Sequence, residues 1–312
     1  TVSNSGYVKR SPLSLYRSQK RGGKGRTGMI PKGGDFVEHL HVASAHSYVL
    51  VFTEAGRVYW LKVHEIPQMG PAARGKAIVN LLNLENDERI ATTVAVREFT
   101  DDVNLVFGTE RGTVKKTPLS AYSNPRAGGI IAINIDKGDR LLGVRMTDGS
   151  RDVFLATAKG FSIRFSEKDT RSMGRATRGV RGIALRKDDR VVAIESLGED
   201  GEILSVASRG MGKRTAIKEY RRQGRGGKGI ITMSITRRNG PLVGIQVSRA
   251  HEELMVITRK GIVIRMAQDT ISSMGRNTQG VNLINLDSED AVATVAPIAS
   301  SAELESQVAE AD

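Results

Sequence analysis

Apolar residues in this chain come in short runs, not at helical spacing. Runs such as Tyr48-Val-Leu-Val-Phe52, Leu141-Leu-Gly-Val-Arg145, Val191-Val-Ala-Ile194 and Met255-Val-Ile-Thr258 are bounded by Gly, Asp and Asn, as β-strands are. No stretch sustains a long helical period. Self-comparison orders these runs into six repeats. The leading mark of each repeat is a glycine followed by mostly apolar residues, with a base four positions on in five of the six copies. The copies are Gly6-Tyr-Val-Lys-Arg10, Gly56-Arg-Val-Tyr-Trp60, Gly112-Thr-Val-Lys-Lys116, Gly160-Phe-Ser-Ile-Arg164, Gly210-Met-Gly-Lys-Arg214 and Gly261-Ile-Val-Ile-Arg265, spaced by 50, 56, 48, 50 and 51 residues.

A second glycine follows at +19 in five copies (Gly25, Gly75, Gly179, Gly229 and Gly280) and at +17 in the third (Gly129). In five copies an apolar run comes next: Ile78-Val-Asn-Leu-Leu82, Ile130-Ile-Ala-Ile-Asn-Ile135, Val180-Arg-Gly-Ile-Ala-Leu185, Ile230-Ile-Thr-Met-Ser-Ile235 and Val281-Asn-Leu-Ile-Asn-Leu286. The first copy departs, with Arg26-Thr-Gly-Met-Ile-Pro31. Each repeat therefore reads as about four strands, the last reached through a polar loop. Four strands repeating near 50 residues predict an all-β, six-bladed, propeller-like fold over residues 1–298. Residue 1 falls just before the first marked strand, so blade one is expected to lack its leading strand or strands. Either the run Ala291-Val-Ala-Thr-Val-Ala-Pro-Ile298 fills that gap and closes the ring, or the sequence is a piece cut from a longer chain. Residues 299–312 are small and acidic, and read as a disordered tail.

Composition sharpens this picture in three ways. Aromatics are 4% of 312 residues, so burial rests on Val, Ile and Leu, which suit strands. Cysteine is absent, which excludes disulfides, thiol catalysis and thiolate metal sites. All 47 Lys and Arg lie at or before Arg276, with 27 of the 34 acids, so the body carries about +20 while the end is purely acidic. A field of that sign predicts a polyanionic partner. No apolar run approaches the roughly 18 residues of a membrane span and no signal peptide opens the chain, so the expected compartment is the cytoplasm, beside the nucleoid.

The most unusual segment is Gln19-Lys20-Arg21-Gly22-Gly23-Lys24-Gly25, and Gln223-Gly224-Arg225-Gly226-Gly227-Lys228-Gly229 is its near copy in the fifth repeat. Glycines let backbone N–H groups approach phosphate oxygens, and the flanking bases supply charge-assisted hydrogen bonds. Neither box has an aromatic for stacking on an unpaired base, so contact to a duplex backbone is favoured. The corresponding loops carry Arg74 and Lys76, Arg126, Arg171, Arg175, Arg178, Arg181 and Arg276, which would make a basic belt around one rim. Other readings of these residues fail. Gly224 to Gly229 spells G-x-G-x-x-G, but a dinucleotide fingerprint opens a helix, and a β-type run follows here. Lys24 and Lys228 are followed by Gly, not the Ser or Thr of a P-loop. His39 and His41 have no cysteine or acid cluster to complete a metal site. No Ser/His/Asp or paired-carboxylate set stands out.

With these residues in view, the chain resembles the family of C-terminal domains of the bacterial DNA gyrase A polypeptide, whose box reads Gln-Arg-Arg-Gly-Gly-Lys-Gly. Supporting matches are Gly6-Tyr-Val-Lys-Arg10, Ile78-Val-Asn-Leu-Leu82, Asp87-Glu-Arg-Ile90, Gly112-Thr-Val-Lys-Lys116, Gly179-Val-Arg-Gly-Ile183 and Gly275-Arg-Asn-Thr-Gln-Gly280. The resemblance implies a six-bladed β-pinwheel whose strands pass between blades, and a rim that wraps duplex DNA with one hand. That wrap supports ATP-dependent negative supercoiling by an A2B2 enzyme of gyrase A and gyrase B polypeptides. Its catalytic tyrosine, ATPase site and magnesium lie in other parts, so no cofactor and no catalytic residue is expected in this chain, and the isolated domain is expected to be a monomer. Lys20 departs from the family's Arg, and Gly224 replaces a base in the second box. The nearest alternative is the C-terminal domain of the topoisomerase IV A polypeptide, against which the intact box and six repeats argue. More distant alternatives are a propeller-type protein scaffold and an RNA-binding Gly-Arg protein.

Overall fold

A computed structural model describes residues 1–3, 5–12, 35, 37–39, 41, 43–70, 73–85, 88–248, 253–260, 262–287 and 289–298. The first box, Gln19 to Gly25, and the acidic segment 299–312 lie outside the described residues.

The described strands form six antiparallel sheets, one per repeat. Blade three shows the plan. From inside outward it runs Leu141–Thr147, Asn104–Thr109, Thr113–Pro118 and the short Val180–Arg181. The first three come from repeat three. The fourth comes from repeat four, with Arg181 opposite Thr113. The same loan recurs around the molecule. Lys76–Ala77 completes blade one, Ile130–Ile131 blade two, Ile230–Ile231 blade four and Val281–Asn282 blade five. Blade six has three strands among the described residues, Val292–Ile298, Glu253–Thr258 and Val263–Ala267. This is the six-bladed β-propeller arrangement expected, with the strand passing of a pinwheel.

Two expectations need correction. Blade one has its own leading strand, Val2–Ser3, hydrogen-bonded between Tyr7–Val8 and Val37–His39. The final run does not fill blade one: Val292–Ile298 pairs along its length with Glu253–Thr258 and is the inner strand of blade six. It does lie against Val37–His39, so blades six and one are neighbours. The apolar runs after the second glycine are also shorter strands than they look. Only their first two residues pair in blades two, four and five. The run then bends over the neighbour's hairpin, where Ala132 and Ile133 both donate to the Gly56 carbonyl. Its next apolar residue is buried, as Ile133, Ile183, Met233 and Ile284 show.

The core sits between blades, so a strand is covered on both faces and its apolar residues need not alternate. Asp152–Thr157 is buried at every position. Between blades two and three Phe52 meets Phe107 and Tyr122 edge-on, with centroids 5.6 and 6.3 Å apart; between blades four and five Phe154 meets Tyr220 at 5.0 Å. Such pairs add roughly 0.5–1.5 kcal/mol each beyond burial.

In four of its five basic copies the residue four positions after the leading glycine is a structural staple, Arg265 instead pairing with Glu253 of its own blade. It donates to a carbonyl at the 3-10 turn of the next blade: Arg10 to Ile66 (2.7 Å), Lys116 to Glu167 (2.9 Å), Arg164 to Ile217 and Tyr220 (3.1 and 3.2 Å) and Arg214 to Ile271 (2.8 Å). Trp60, the exception to the basic pattern, makes the same bond through its indole N–H to Tyr122 (2.9 Å). Acids cap the hairpin turns in the same periodic way. Asp35, Asp139, Asp189 and Asp290 accept the backbone N–H of Ser5, Arg111, Lys159 and Lys260 at 2.8, 2.9, 3.0 and 3.1 Å.

Candidate nucleic-acid interface

The loop that carries the box in repeat five links two blades. It leaves Met211–Ala216 of blade five and ends in Ile230–Ile231, the outer strand of blade four. The outer strands and these loops therefore form the outer edge of the sheets. The box itself is held by hydrogen bonds. Gln223 N–H donates to Arg164 O (2.8 Å), Gly226 N–H to Gly182 O (2.8 Å), and Gly227 O accepts from Ala184 N–H (2.9 Å). The Arg225 guanidinium donates to Asp169 O (3.1 Å) and Arg181 O (2.6 Å). Lys228 is exposed, and its carbonyl accepts from Arg186.

Among the described residues Arg225 has two counterparts at the same repeat position. Arg175 donates to Ile131 O (3.4 Å) and Arg276 to Ile231 O (2.7 Å). All three accept a structural task, latching one loop onto the preceding outer strand. The remaining bases expected at the rim face water. Lys76, Arg126, Arg171 and Arg181 are exposed. Arg74 is exposed and stacks 3.8 Å over the Tyr7 ring. Arg178 pairs with Asp136 at 2.7 Å while 70% of its side chain stays accessible.

Buried lysines hold alternate loops from beneath. Lys9, Lys115 and Lys213 occupy the third position after the leading glycine in blades one, three and five, and each is fully buried. Lys9 Nζ donates to Gly70 O and Ala73 O (3.0 and 2.9 Å). Lys115 Nζ donates to Ala132 O and to Arg175 O (2.5 Å). Lys213 Nζ donates to Gly275 O, Arg276 O and Thr278 Oγ1 (2.6, 2.5 and 3.0 Å). Burial, and then the nearby Arg175, push the Lys115 ammonium down to about 7. Burial is also the first cause at Lys213, pushed down to about 8, with Glu219 opposing and Arg276 assisting. Blades two, four and six have Tyr59, Ile163 and Ile264 at this position.

Two classes of glycine separate along these loops. At +19, Gly75, Gly179, Gly229 and Gly280 have φ of +94°, +96°, +69° and +82°. A Cβ there would press on a carbonyl of the neighbouring blade, 2.7 Å from Val8 O at Gly75 and 2.5 Å from Val114 O at Gly179. The fold needs glycine at these points. At +14, Gly70, Gly174 and Gly224 lie outside the left-handed region with nothing within 4 Å. The backbone at that point of the rim is bare by composition, not by packing.

A second set of rim bases escaped the sequence reading. Arg111, Lys159, Arg209 and Lys260 stand immediately before the leading glycine in four successive blades, all exposed at hairpin turns. The same self-comparison contained the signal, one position upstream of the glycine. Arg111 meets two of the expected bases: with Arg178 and Arg181 it lines a polar cleft of about 640 Å³ at the outer edge of blade three. Among the described residues no cluster of His, Asp and Glu is arranged to hold a metal, and no helix is long and apolar enough to cross a membrane.

Comparisons with known proteins bear on this edge. The family described as DNA gyrase C-terminal domain, beta-propeller matches residues 1–44, 47–97, 104–148, 151–197, 201–249 and 252–299, one match per repeat. The DNA gyrase A polypeptide of Halalkalibacterium halodurans is 56% identical over 298 residues, covering 96% of this chain and 36% of its own length. This chain thus spans about a third of that relative. A solved C-terminal domain of DNA topoisomerase IV superposes with a TM-score of 0.84 at 24% identity, covering 99% of this chain and 96% of its own. A solved DNA gyrase A C-terminal domain superposes with a TM-score of 0.77 at 23% identity, covering 96% and 98%. These two likenesses show the shared fold and favour neither kind of domain.

Proposed function

The chain belongs to the DNA gyrase C-terminal β-propeller domain family, and from that membership we propose that it binds duplex DNA through the phosphate backbone and wraps it around the outer edge of the blades. The observation that carries the reading is the run of exposed bases along that edge. Lys76, Arg126, Arg178, Arg181 and Lys228 stand on loops and outer strands, joined by the hairpin bases Arg111, Lys159, Arg209 and Lys260. Neither Gln19 to Gly25 nor Gln223 to Gly229 holds an aromatic side chain, so backbone contact without base readout is the mode their chemistry supports. In the parent enzyme, formed with the rest of gyrase A and with gyrase B, the wrap would present a neighbouring segment for strand passage and so give negative supercoils. ATP and magnesium would act outside this chain, in the bacterial cytoplasm.

The first box is assigned the anchor of the wrap. Lys20 sits at the +14 position where four other repeats have glycine, which makes it the added base of that loop. Replacing Gln19 to Gly25 with alanines should lower duplex affinity only modestly, since the other rim bases remain. Wrapping should collapse. A smooth 40–90° bend over 20–30 base pairs costs on the order of 1–6 kcal/mol and must be held at both ends of the arc. The test measures fluorescence anisotropy on a duplex and plasmid linking number after nicking-closing, on the same variant. Normal wrapping, or proportionate loss of binding and wrapping, would refute the anchor. For the unaltered chain, contacts to about 6–10 phosphates should remove roughly three to five decades of affinity between 50 and 200 mM salt. A flat salt profile would overturn duplex-backbone binding altogether.

A further inference from the structure

The second box resembles the first in sequence, yet its arginine and part of its backbone are already engaged within the fold. Arg225 is latched to Asp169 O and Arg181 O, Gly226 N–H is given to Gly182 O, and Gly227 O to Ala184 N–H. The segment it grips, residues 181–184, is one wall of the cleft lined by Arg111, Arg178 and Arg181. The grip is close. Gly226 has φ +82°, a left-handed backbone that favours glycine, and it packs at ordinary contact distance against the Arg181 carbonyl and stem.

The cleft has what the box lacks. Arg181 is exposed and only its carbonyl is engaged in the hydrogen bonds above. Arg111 also lines the cleft and is exposed, with one guanidinium N–H reaching Lys137 O at a long 3.4 Å. Arg178 lines the cleft too and is paired with Asp136, the one acid within ion-pair distance of it among the described residues. Asp139 lies on the far side of Arg111 with one carboxylate oxygen occupied by the Arg111 and Arg140 amides. Three guanidiniums against one exposed carboxylate leave a net positive cleft of a size to admit a phosphate and its neighbouring sugar.

Resting on the duplex-binding reading above, we propose that this cleft is a phosphate-binding anchor of the duplex on blade three, and that the second box is a positioning element that holds Arg181 in its wall. Arg111 and Arg181 contact phosphate directly; Arg225 acts through Arg181.

The test uses the whole chain and a nonspecific duplex of about 40 base pairs, read by anisotropy across a salt series. The R111A/R181A variant should bind at least tenfold more weakly at 100 mM salt. Its log–log salt slope should be shallower by about 1–2, as expected for one or two phosphates no longer neutralised at roughly 0.9 each. K228A, which removes one rim base outside the cleft, should weaken binding, but less than R111A/R181A does. R225A should weaken binding, and R225A combined with R181A should be no weaker than R181A alone, since coupled residues are not additive. A purely structural role for Arg225 would instead make the two losses add. Both arginines of the R111A/R181A variant are exposed, so its thermal unfolding should match the unaltered chain and its binding result stands without R225A. If the unaltered chain binds duplex steeply with salt but R111A/R181A binds within twofold of it, the cleft assignment is wrong and duplex binding survives. If K228A loses as much as R111A/R181A, the box is the anchor and the cleft is not. If the unaltered chain shows no salt-dependent binding, the functional reading fails first.

Discussion

A glycine can be required by its own backbone or left bare for another reason, and the rim loops contain both kinds at fixed positions. Gly229 has φ +69° and its absent side chain makes room for the Ser162 carbonyl. Gly229→Ala should cost about 1–3 kcal/mol from the left-handed backbone and the crowding together. Gly224→Ala should be neutral or stabilise by about 0.4–1 kcal/mol, because open space surrounds it and alanine narrows the unfolded ensemble. Urea midpoints of the two variants check this directly; equal midpoints would contradict it. The sequence showed these glycines as two columns of one pattern and gave no means of telling them apart. The arginines posed the same problem. Arg175, Arg225 and Arg276 read as rim contacts beside Arg178 and Arg181, and the structure turns the first three into latches. Spacing locates a residue in a loop; which way its guanidinium turns depends on a carbonyl 44 or 45 positions away in the chain.

Between blades, strands and turns are fastened by buried charge. Arg164 Nε meets Asp152 Oδ2 at 2.6 Å, with side chains 8% and 1% exposed. Arg164→Ala should cost up to about 3–5 kcal/mol, since it removes the buried partner of Asp152, leaving only the half-exposed Arg222 on that carboxylate, and frees the Ile217 and Tyr220 carbonyls, and denaturant unfolding would measure it. Arg222, at 2.7 Å from the same oxygen but half exposed, should matter much less. The clamping lysines add a pH dependence. Burial holds Lys115 and Lys213 below the free lysine value, so between about pH 7 and 10 the unfolded chain binds more protons than the folded one. Stability from this source rises with pH over that window. A Lys115→Met, Lys213→Met chain should lose the rise, visible as a flatter urea midpoint between pH 7 and 9.5; an unchanged slope would show that these ammonium groups stay protonated. At this scale the sequence was most legible in the strands that belong to their own repeat. It was least legible in the two-residue outer strands. Ile130–Ile131 and Ile230–Ile231 are too short to carry a register, so the blade they join is fixed by tertiary packing alone.

The whole molecule holds two populations of positive charge that composition cannot separate. Lys9, Lys115, Lys116, Arg164 and Lys213 are buried staples and clamps, whereas the rim bases are exposed. Recurrence of charge at fixed places was thus partly a property of the fold, not of a partner. Salt should separate the two. Exposed pairs are screened over about 10 Å at 0.1 M, and buried ones far less. Raising NaCl from 0.05 to 0.5 M should abolish duplex binding while leaving the urea midpoint essentially unmoved. A midpoint that falls in step with affinity would mean that the rim charges also hold the blades together.

Each of blades one to five is finished by a strand lent from the repeat that follows it, and this has a consequence for how the number of blades can change. Excising one full period, cut at the same phase in two successive repeats, leaves every loan intact: the next repeat simply lends to an earlier borrower. Cutting within a period leaves one sheet short and one strand without a home. Gain or loss of whole repeats is therefore nearly free in pairing energy, and what it alters is the curvature of the rim. A lineage could lengthen or shorten the path that a polymer follows around this edge without redesigning a single sheet.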